Sequence, residues 1–168
     1  IHKAATKMIE EMAQESESGE TPVEVSTSPK GVTIGISSDI SFESGSATTK
    51  SGFLEILQKI VPTIQESYFM IAVEGHTDSD PLPKNLRVKY PSNWELSGAR
   101  AAAVVRLLIG LDVDPVRLQS VGYGEFAPRD KNTAEIITAD LIQKYNSTPQ
   151  QKSRNRRVEI TFLAPNKL

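Results

Sequence analysis

Alternating apolar and polar positions dominate both ends of the chain. Valines alternate with polar residues over Val23–Ser28, and the pattern resumes over Val32–Ser37 after the turn residues Pro29-Lys30-Gly31. This arrangement predicts a β-hairpin. Alternation returns over Arg157–Leu163, which predicts a final strand with Val158, Ile160 and Phe162 on one side.

The middle of the chain switches to helical and fully buried patterns. Apolar residues recur at helical spacing from Thr48 or Thr49 through Gln65, where Pro62 should kink or interrupt the helix. The continuous apolar run Phe69–Val73 predicts a buried strand. A second helix is predicted over Ser92–Leu111. It begins with the S-x-x-E spacing of a capping box and has Gly110 near its end.

The remaining segments have weaker patterns. Gln119–Gly124 reads as a strand, Asn132–Tyr145 as moderately helical and Asn146–Lys152 as a polar loop. The spacing of apolar residues over Ile1–Glu17 predicts an N-terminal helix, followed by a hinge over Ser16–Pro22. This helix either lies on its own domain or connects to another segment or a dimer partner.

The predicted order of elements is β-β-α-β-α-β-(α)-β. Such an order predicts an α+β sandwich, with a mixed sheet and helices packed on one face. We therefore expect a linker helix and hinge over residues 1–22, one domain over residues 23–163, and a short tail over residues 164–168.

Composition narrows the possible functions. The 168 residues are 38% hydrophobic and 24% charged, with a net charge of −2 and no cysteine. The chain can therefore form one hydrophobic core, but it has no disulfide, no zinc–thiolate site and no cysteine nucleophile. Its charge gives no general attraction to nucleic acid.

The candidate chemistry is concentrated between a strand end and a helix start. Asp78 follows the buried strand, whereas Asn93 and Arg100 share one face of the next helix. Arg100 would bind a carboxylate and Asp78 an ammonium, so the pair suits a zwitterionic amino-acid head group, with Asn93 and Thr77 as further hydrogen-bonding residues. The alternatives are that Asp78 and Arg100 pair with each other, or that Asp78 caps a turn.

Two other features allow competing interpretations. The basic cluster Arg154-Asn155-Arg156-Arg157 is either a solvated edge that resists sheet extension or a second carboxylate contact. His76, Asp78 and Ser97 could be cast as a catalytic set, but the chain has neither a G-x-S-x-G nor an H-E-x-x-H motif. We therefore expect no enzyme and no cofactor. We also expect no metal site, because Asp78 and Asp80 supply too few ligands.

Five short motifs, in order, resemble the OmpA-like peptidoglycan-binding domain. They are Ile40-Ser41-Phe42-Glu43-Ser44-Gly45-Ser46-Ala47, Glu74-Gly75-His76-Thr77-Asp78, Asn93-x-x-Leu96-Ser97-x-x-Arg100-Ala101, Gly122-Tyr123-Gly124-Glu125 and Asn155-Arg156-Arg157-Val158-Glu159. The segment Ser92–Ser97, after a proline-containing loop, is most similar to the flagellar stator subunits MotB and PomB.

This resemblance implies a β/α/β/α/β sandwich that anchors an ion-driven flagellar stator to the cell wall without catalysis. Asp78 and Arg100 are implied to hold the diaminopimelate end of the peptidoglycan peptide stem, with Asn93, Leu96, Thr77 and Arg156 as further lining. The implied setting is a periplasmic domain of a homodimeric protein anchored in the inner membrane, with a MotA-like membrane subunit as partner. The alternative is an outer-membrane-associated anchor of the Pal or OmpA type with no role in motility.

The sequence also departs from the family pattern at two places. Ser79-Asp80-Pro81 follows the aspartate where relatives often have glycine, and Ala134–Gln151 lengthens the segment before Arg154. Both departures affect the expected wall of the pocket.

Overall fold

The computed structural model describes residues 23–165, together with residues 3, 6 and 7. In this part of the chain the strands are β1 (Val23–Ser28), β2 (Gly31–Ser37), β3 (Ile71–His76), β4 (Leu118–Gly122) and β5 (Arg157–Leu163). The α-helices from residue 23 onward are α1 (Ser38–Ser41), α2 (Ser51–Gln65), α3 (Asn93–Gly110), α4 (Ala139–Lys144) and α5 (Pro149–Asn155). A 3-10 turn, Pro115–Arg117, precedes β4.

The five strands form one mixed sheet in the order β1-β2-β5-β3-β4. The hairpin between β1 and β2 is antiparallel, as are the pairings of β5 with both β2 and β3, whereas β3 and β4 run parallel. The predicted hairpin, final strand and α+β class are thereby confirmed. The basic cluster Arg154-Asn155-Arg156-Arg157 leads into β5, which is a central strand of the sheet. The interpretation of this cluster as a solvated sheet edge is therefore wrong.

The hydrophobic core lies between one face of the sheet and the two long helices. Alternate residues of the strands point to this face. The buried sheet residues include Ile34, Ile36, Ile71, Val73, Val158, Ile160 and Phe162, and their partners on α2 and α3 include Phe53, Leu57, Ile60, Ala101, Val104 and Leu108. The structure therefore confirms that these helices pack on one face of the sheet.

Several predicted boundaries differ from the observed ones. Helix α2 continues through Pro62, so the predicted interruption is wrong; the burial of Val61 and Ile64 on either side holds this turn in place. Strand β3 begins two residues later than predicted and extends to His76. The N-terminal helix and hinge lie outside the described residues, apart from the helical residues 3, 6 and 7, as does the end of the tail after residue 165.

The segment before β5 differs most from its sequence pattern. The helix predicted from Asn132 begins only at Ala139. The predicted loop after Asn146 contains helix α5, whose start is fixed by a capping box between Thr148 and Gln151 and by Pro149 in the first turn. Local capping therefore determines a helix that carries no apolar stripe.

Two glycines allow helix α3 to lie against strands β3 and β4. A Cβ atom at Gly75 would lie 2.1 Å from the Ser97 carbonyl oxygen, and one at Gly122 would lie 2.6 Å from the Gly98 backbone nitrogen. These contacts involve backbone atoms, so no side-chain rotation could relieve them. The capping box between Ser92 and Glu95 fixes the start of the same helix, as predicted.

We predict opposite effects for two glycine-to-alanine substitutions at this contact. Gly75→Ala should lower the free energy of unfolding by about 1–3 kcal/mol, because the added methyl group overpacks the β3–α3 contact. Gly98→Ala should raise it by about 0.5–1 kcal/mol, because the site is helical and nothing beyond the neighbouring residues and backbone of its own helix lies within 4 Å of the new Cβ. Urea unfolding of both variants measures the difference, and equal effects would contradict the proposed contact.

Candidate functional site

An open cleft of about 460 Å³ lies where strand β3 ends and strand β5 begins. Its floor and walls come from α1, the loop after α1, α3 and the residue before β5. The lining residues are Ser38, Asp39, Phe42, Ser44, Gly45, Lys50, Asp78, Arg100 and Arg156. Three of the six predicted site residues, Asp78, Arg100 and Arg156, therefore meet in one cleft.

Arg156 joins the two acidic residues of the cleft. Its Nη1 donates to Asp78 Oδ2 at 2.7 Å, while its Nε and Nη2 donate to the two carboxylate oxygens of Asp39 at 2.9 and 3.1 Å. The hydrogen bonds to Asp39 first, and then the one to Asp78, raise the pKa of Arg156 above its ordinary value against the opposing effect of burial. Asp78 thus pairs with Arg156, so the alternative in which Asp78 pairs with Arg100 is wrong.

Arg100 is held in a different way. Its Nε donates to the Ser46 carbonyl oxygen at 2.8 Å, and its guanidinium carbon lies 5.0 Å from the centre of the Phe42 ring. Only 6% of the residue is exposed, and burial lowers its pKa, which still leaves it charged at neutral pH. Within residues 23–165, no carboxylate oxygen lies within 4 Å of its guanidinium nitrogens.

The other three predicted residues lie behind the cleft. Asn93 Nδ2 donates to the carbonyl oxygens of Asp78 and Asp80 at 3.3 and 3.1 Å, and so fixes the backbone after β3. The Thr77 backbone N–H donates to the Gly124 carbonyl oxygen, and Leu96 packs in a small apolar cluster. Asp78 also caps a turn, as considered above, because its Oδ1 accepts from the Asp80 backbone N–H at 2.9 Å.

Six residues of the cleft lining are not among the predicted site residues, and three of these six contact other residues of the cleft. Asp39 pairs with Arg156, Lys50 Nζ donates to the Asp39 carbonyl oxygen at 2.8 Å, and Phe42 lies under Arg100. Asp39 stands one residue before the first family motif and Phe42 stands inside it. The first family motif therefore indicated this part of the cleft. The local sequence did not show which of its side chains would face Arg100.

The proposed catalytic set does not assemble. Ser97 is fully buried, and its Oγ donates to the Trp94 carbonyl oxygen and accepts from the Gly124 N–H. Because Gly75 faces α3, its neighbour His76 points to the opposite face of the sheet. Trp94, in the first turn of α3, is 51% exposed and stacks on Phe126.

Buried amides connect the lengthened segment to the cleft. Asn155 Nδ2 donates to the Tyr145 carbonyl oxygen at 2.9 Å and to Asn146 Oδ1 at 3.0 Å, and Asn155 Oδ1 accepts from the Arg129 N–H. Asn146 Oδ1 also accepts from the Ser79 N–H at 3.1 Å. The network holds Asn155, which precedes Arg156, near Ser79, which follows Asp78. It therefore sets the separation between Arg156 and Asp78.

The profile of the OmpA family matches residues 41–140, more than half of the chain. The chain belongs to the OmpA family. Domains of this family and its MotB-like members are structural, peptidoglycan-binding domains rather than enzymes, which confirms the expectation of a non-catalytic protein. Among the described residues, no helix has the length and apolar character needed to cross a membrane.

Relatives of this OmpA family member include proteins of different cellular systems. It is 30% identical over 146 residues to motility protein B of Bacillus subtilis, covering 86% of this chain and 49% of that protein. Its fold is similar to the cell wall anchor of the T6SS from Pseudomonas aeruginosa (30% identity, TM-score 0.69, 86% and 89% of the two chains). It is also similar to the periplasmic domain of Helicobacter pylori MotB (25% identity, TM-score 0.68, 85% and 89%). The chain spans about half the length of the curated relatives it matches.

We predict that the buried amide network stabilises this OmpA domain. Asn155→Ala should lower the free energy of unfolding by about 1–3 kcal/mol, because it leaves buried partners unsatisfied. The exposed Asn85→Ala should change it by less than about 0.5 kcal/mol. Urea unfolding tests the pair, and the same midpoint for both variants would exclude a structural role for Asn155.

Proposed function

We propose that this domain binds peptidoglycan in the periplasm, without catalysis, and anchors a flagellar motor stator to the cell wall. The ligand is the peptide stem, whose diaminopimelate residue ends in an ammonium and a carboxylate. Arg100 would bind the carboxylate and Asp78 the ammonium. The uncompensated positive charge of Arg100 inside a cleft that also contains Asp78 is the observation that carries the proposal.

Arg100 is the residue that most needs a ligand. Burying a cation is costly unless a charged partner compensates it. Two carbonyl oxygens and an aromatic ring orient the guanidinium, but the two acidic side chains that act on its charge, Asp39 and Asp78, are engaged by Arg156. A carboxylate entering the cleft would restore the missing charge and could accept two parallel hydrogen bonds.

Asp78 can exchange its present partner for an ammonium. Arg156 holds Asp78 by a single hydrogen bond, whereas it holds Asp39 by two. An arriving ammonium can therefore share or displace the Arg156–Asp78 contact while Arg156 stays on Asp39. In this proposal Arg156 lines the site, and Asn93, Thr77 and Leu96 keep the loop after β3 and helix α3 in position.

Wall binding outside motility is the second candidate. The similarity to the T6SS cell wall anchor shows that domains of this fold also occur in a system unrelated to flagella. The cleft itself does not separate the two roles, since both would use the same ligand. The similarity to motility protein B and to MotB periplasmic domains favours the stator.

We predict that wall binding depends on the two opposite charges of the cleft. Asp78→Asn and Arg100→Ala should each lower the affinity of the purified protein for insoluble peptidoglycan by about 10–100-fold, because each removes a charge-assisted contact. Co-sedimentation with peptidoglycan measures this affinity. The exposed residues Asp140 and Arg106 provide matched controls, and Asp140→Asn and Arg106→Ala should bind like the wild type.

Circular dichroism must show that all four variants remain folded. If folded Asp78→Asn and Arg100→Ala proteins still co-sediment normally, the assignment of the cleft is wrong. Release of soluble muropeptides by the wild type would contradict the absence of catalysis.

We also predict that Arg100 distinguishes diaminopimelate from lysine. A soluble stem peptide with lysine at that position keeps the ammonium but lacks the carboxylate, so it should bind about 10–100-fold more weakly to the wild type. Arg100→Ala should bind both peptides with similar, weak affinity. Calorimetric titration measures the four affinities. Discrimination that survives in Arg100→Ala would show that another residue reads the carboxylate.

The stator role requires more than wall binding. It predicts that the protein encoded by the complete gene has an N-terminal transmembrane helix, forms a homodimer and associates with a MotA-like membrane subunit. Co-purification of such a subunit with the tagged, full-length protein tests this association. A lipid-modified N-terminus with no membrane subunit bound would favour the non-motile outer-membrane anchor.

A further inference from the structure

Three potential metal ligands converge on the sheet face that points away from the helices. Glu74 and His76 lie on β3, and Glu159 lies directly opposite Glu74 on β5. One ligand atom from each residue lies within 4.8 Å of the other two. None of the three residues lines the cleft, and Asp78 follows the end of β3 at His76, so the two sites are separate.

Only 3% of His76 is exposed, and neither ring nitrogen has a partner within hydrogen-bonding geometry among the residues that the structure describes. Its Nε2 lies 3.6 Å from Glu74 Oε2 and 3.6 Å from Glu159 Oε2, just beyond hydrogen-bonding distance. The Tyr123 ring stacks on the imidazole at 5.1 Å between ring centres. One imidazole nitrogen and two carboxylate oxygens thus surround a common point, and all three ligand atoms lie within 4.8 Å of one another.

Each carboxylate has one oxygen occupied and the other directed at His76. Glu74 Oε1 pairs with Lys30, and Glu159 Oε1 accepts from Arg157 Nε at 2.8 Å. The two Oε2 atoms face His76 Nε2. The ion pairs therefore fix the orientation of the carboxylates, as outer-shell partners do in metal sites.

We propose that Glu74, His76 and Glu159 bind a divalent transition-metal ion, with zinc as the best match. Imidazole and carboxylate are common zinc ligands, and bonds of about 2.0–2.2 Å place two tetrahedral ligand atoms about 3.4 Å apart. The two separations between His76 and the carboxylates are 3.6 Å, and all three ligand atoms lie within 4.8 Å of one another, so side-chain adjustment would bring them around one ion. Three protein ligands leave a fourth position for water.

The surrounding charges determine how the ion enters and how tightly it binds. Lys30 covers Glu74, and its side chain is 47% exposed, so it can swing away to open a path. Arg157 and Arg129 lie next to Glu159, with Arg129 Nη1 3.9 Å from its carboxylate. These cations weaken the binding relative to a site with no positive neighbours, but they leave both inward-facing oxygens available.

The test is titration of the chelator-treated, full 168-residue chain with zinc chloride alone at neutral pH. We expect one bound ion per chain by mass spectrometry of the metal content, and a higher melting temperature with zinc. His76→Ala should weaken binding by at least about 100-fold, because changes outside the ligand shell already cost about 10–100-fold. Glu74→Gln and Glu159→Gln should weaken it as well.

The controls separate this site from other zinc-binding groups. His2→Ala removes the other histidine of the chain, and Glu55→Gln changes an exposed glutamate; both variants should still bind one ion. In nitrogen-15 spectra of histidine-labelled wild type, zinc should shift the Nε2 signal of His76, which tests the site even if the ligand variants unfold. Absence of stoichiometric binding, unchanged binding in folded His76→Ala, or an unmoved His76 signal would overturn the proposal.

Discussion

Helix α3 lies so close to strands β3 and β4 that only glycine fits at the contact. A methyl group at Gly75 would approach the Ser97 carbonyl oxygen to 2.1 Å. This contact brings the second turn of α3, which carries Arg100, next to the residues that follow β3, which include Asp78. The same approach lets the Ser97 hydroxyl accept a hydrogen bond from the Gly124 N–H. The separation of the two charged residues is therefore a consequence of backbone packing.

The charges in the cleft are distributed unequally. Arg156 has two acidic partners, whereas the buried Arg100 has backbone carbonyl oxygens and the Phe42 ring around it but no carboxylate within 4 Å in the described part of the chain. Such a cation costs stability in the unliganded protein. A rigid cation that lacks a carboxylate is suited to bind one, since the orientation of the guanidinium is already fixed before the ligand arrives.

The two faces of the sheet have different physical roles. The face toward the helices is apolar and supplies the core. The opposite face is polar, with a hydrogen bond between Thr33 and Thr161 and the group formed by Glu74, His76 and Glu159. Strand β3 contributes to both, because its side chains alternate between the faces. Strand β3 ends at His76, so Asp78 lies in the loop beyond the sheet and lines a different site.

The sequence by itself determined the hairpin, the two long helices and the central strands, because hydrophobic periodicity and helix capping depend on residues close together in the chain. Short sequence motifs likewise indicated the candidate residues Asp78, Arg100 and Arg156. It did not show that Asp78 pairs with Arg156, that Asp39 and Phe42 line the cleft, or that Trp94 is exposed. Those contacts join residues that are distant along the chain. Only the packing of α3 on the sheet and the central position of β5 decided which of them would meet.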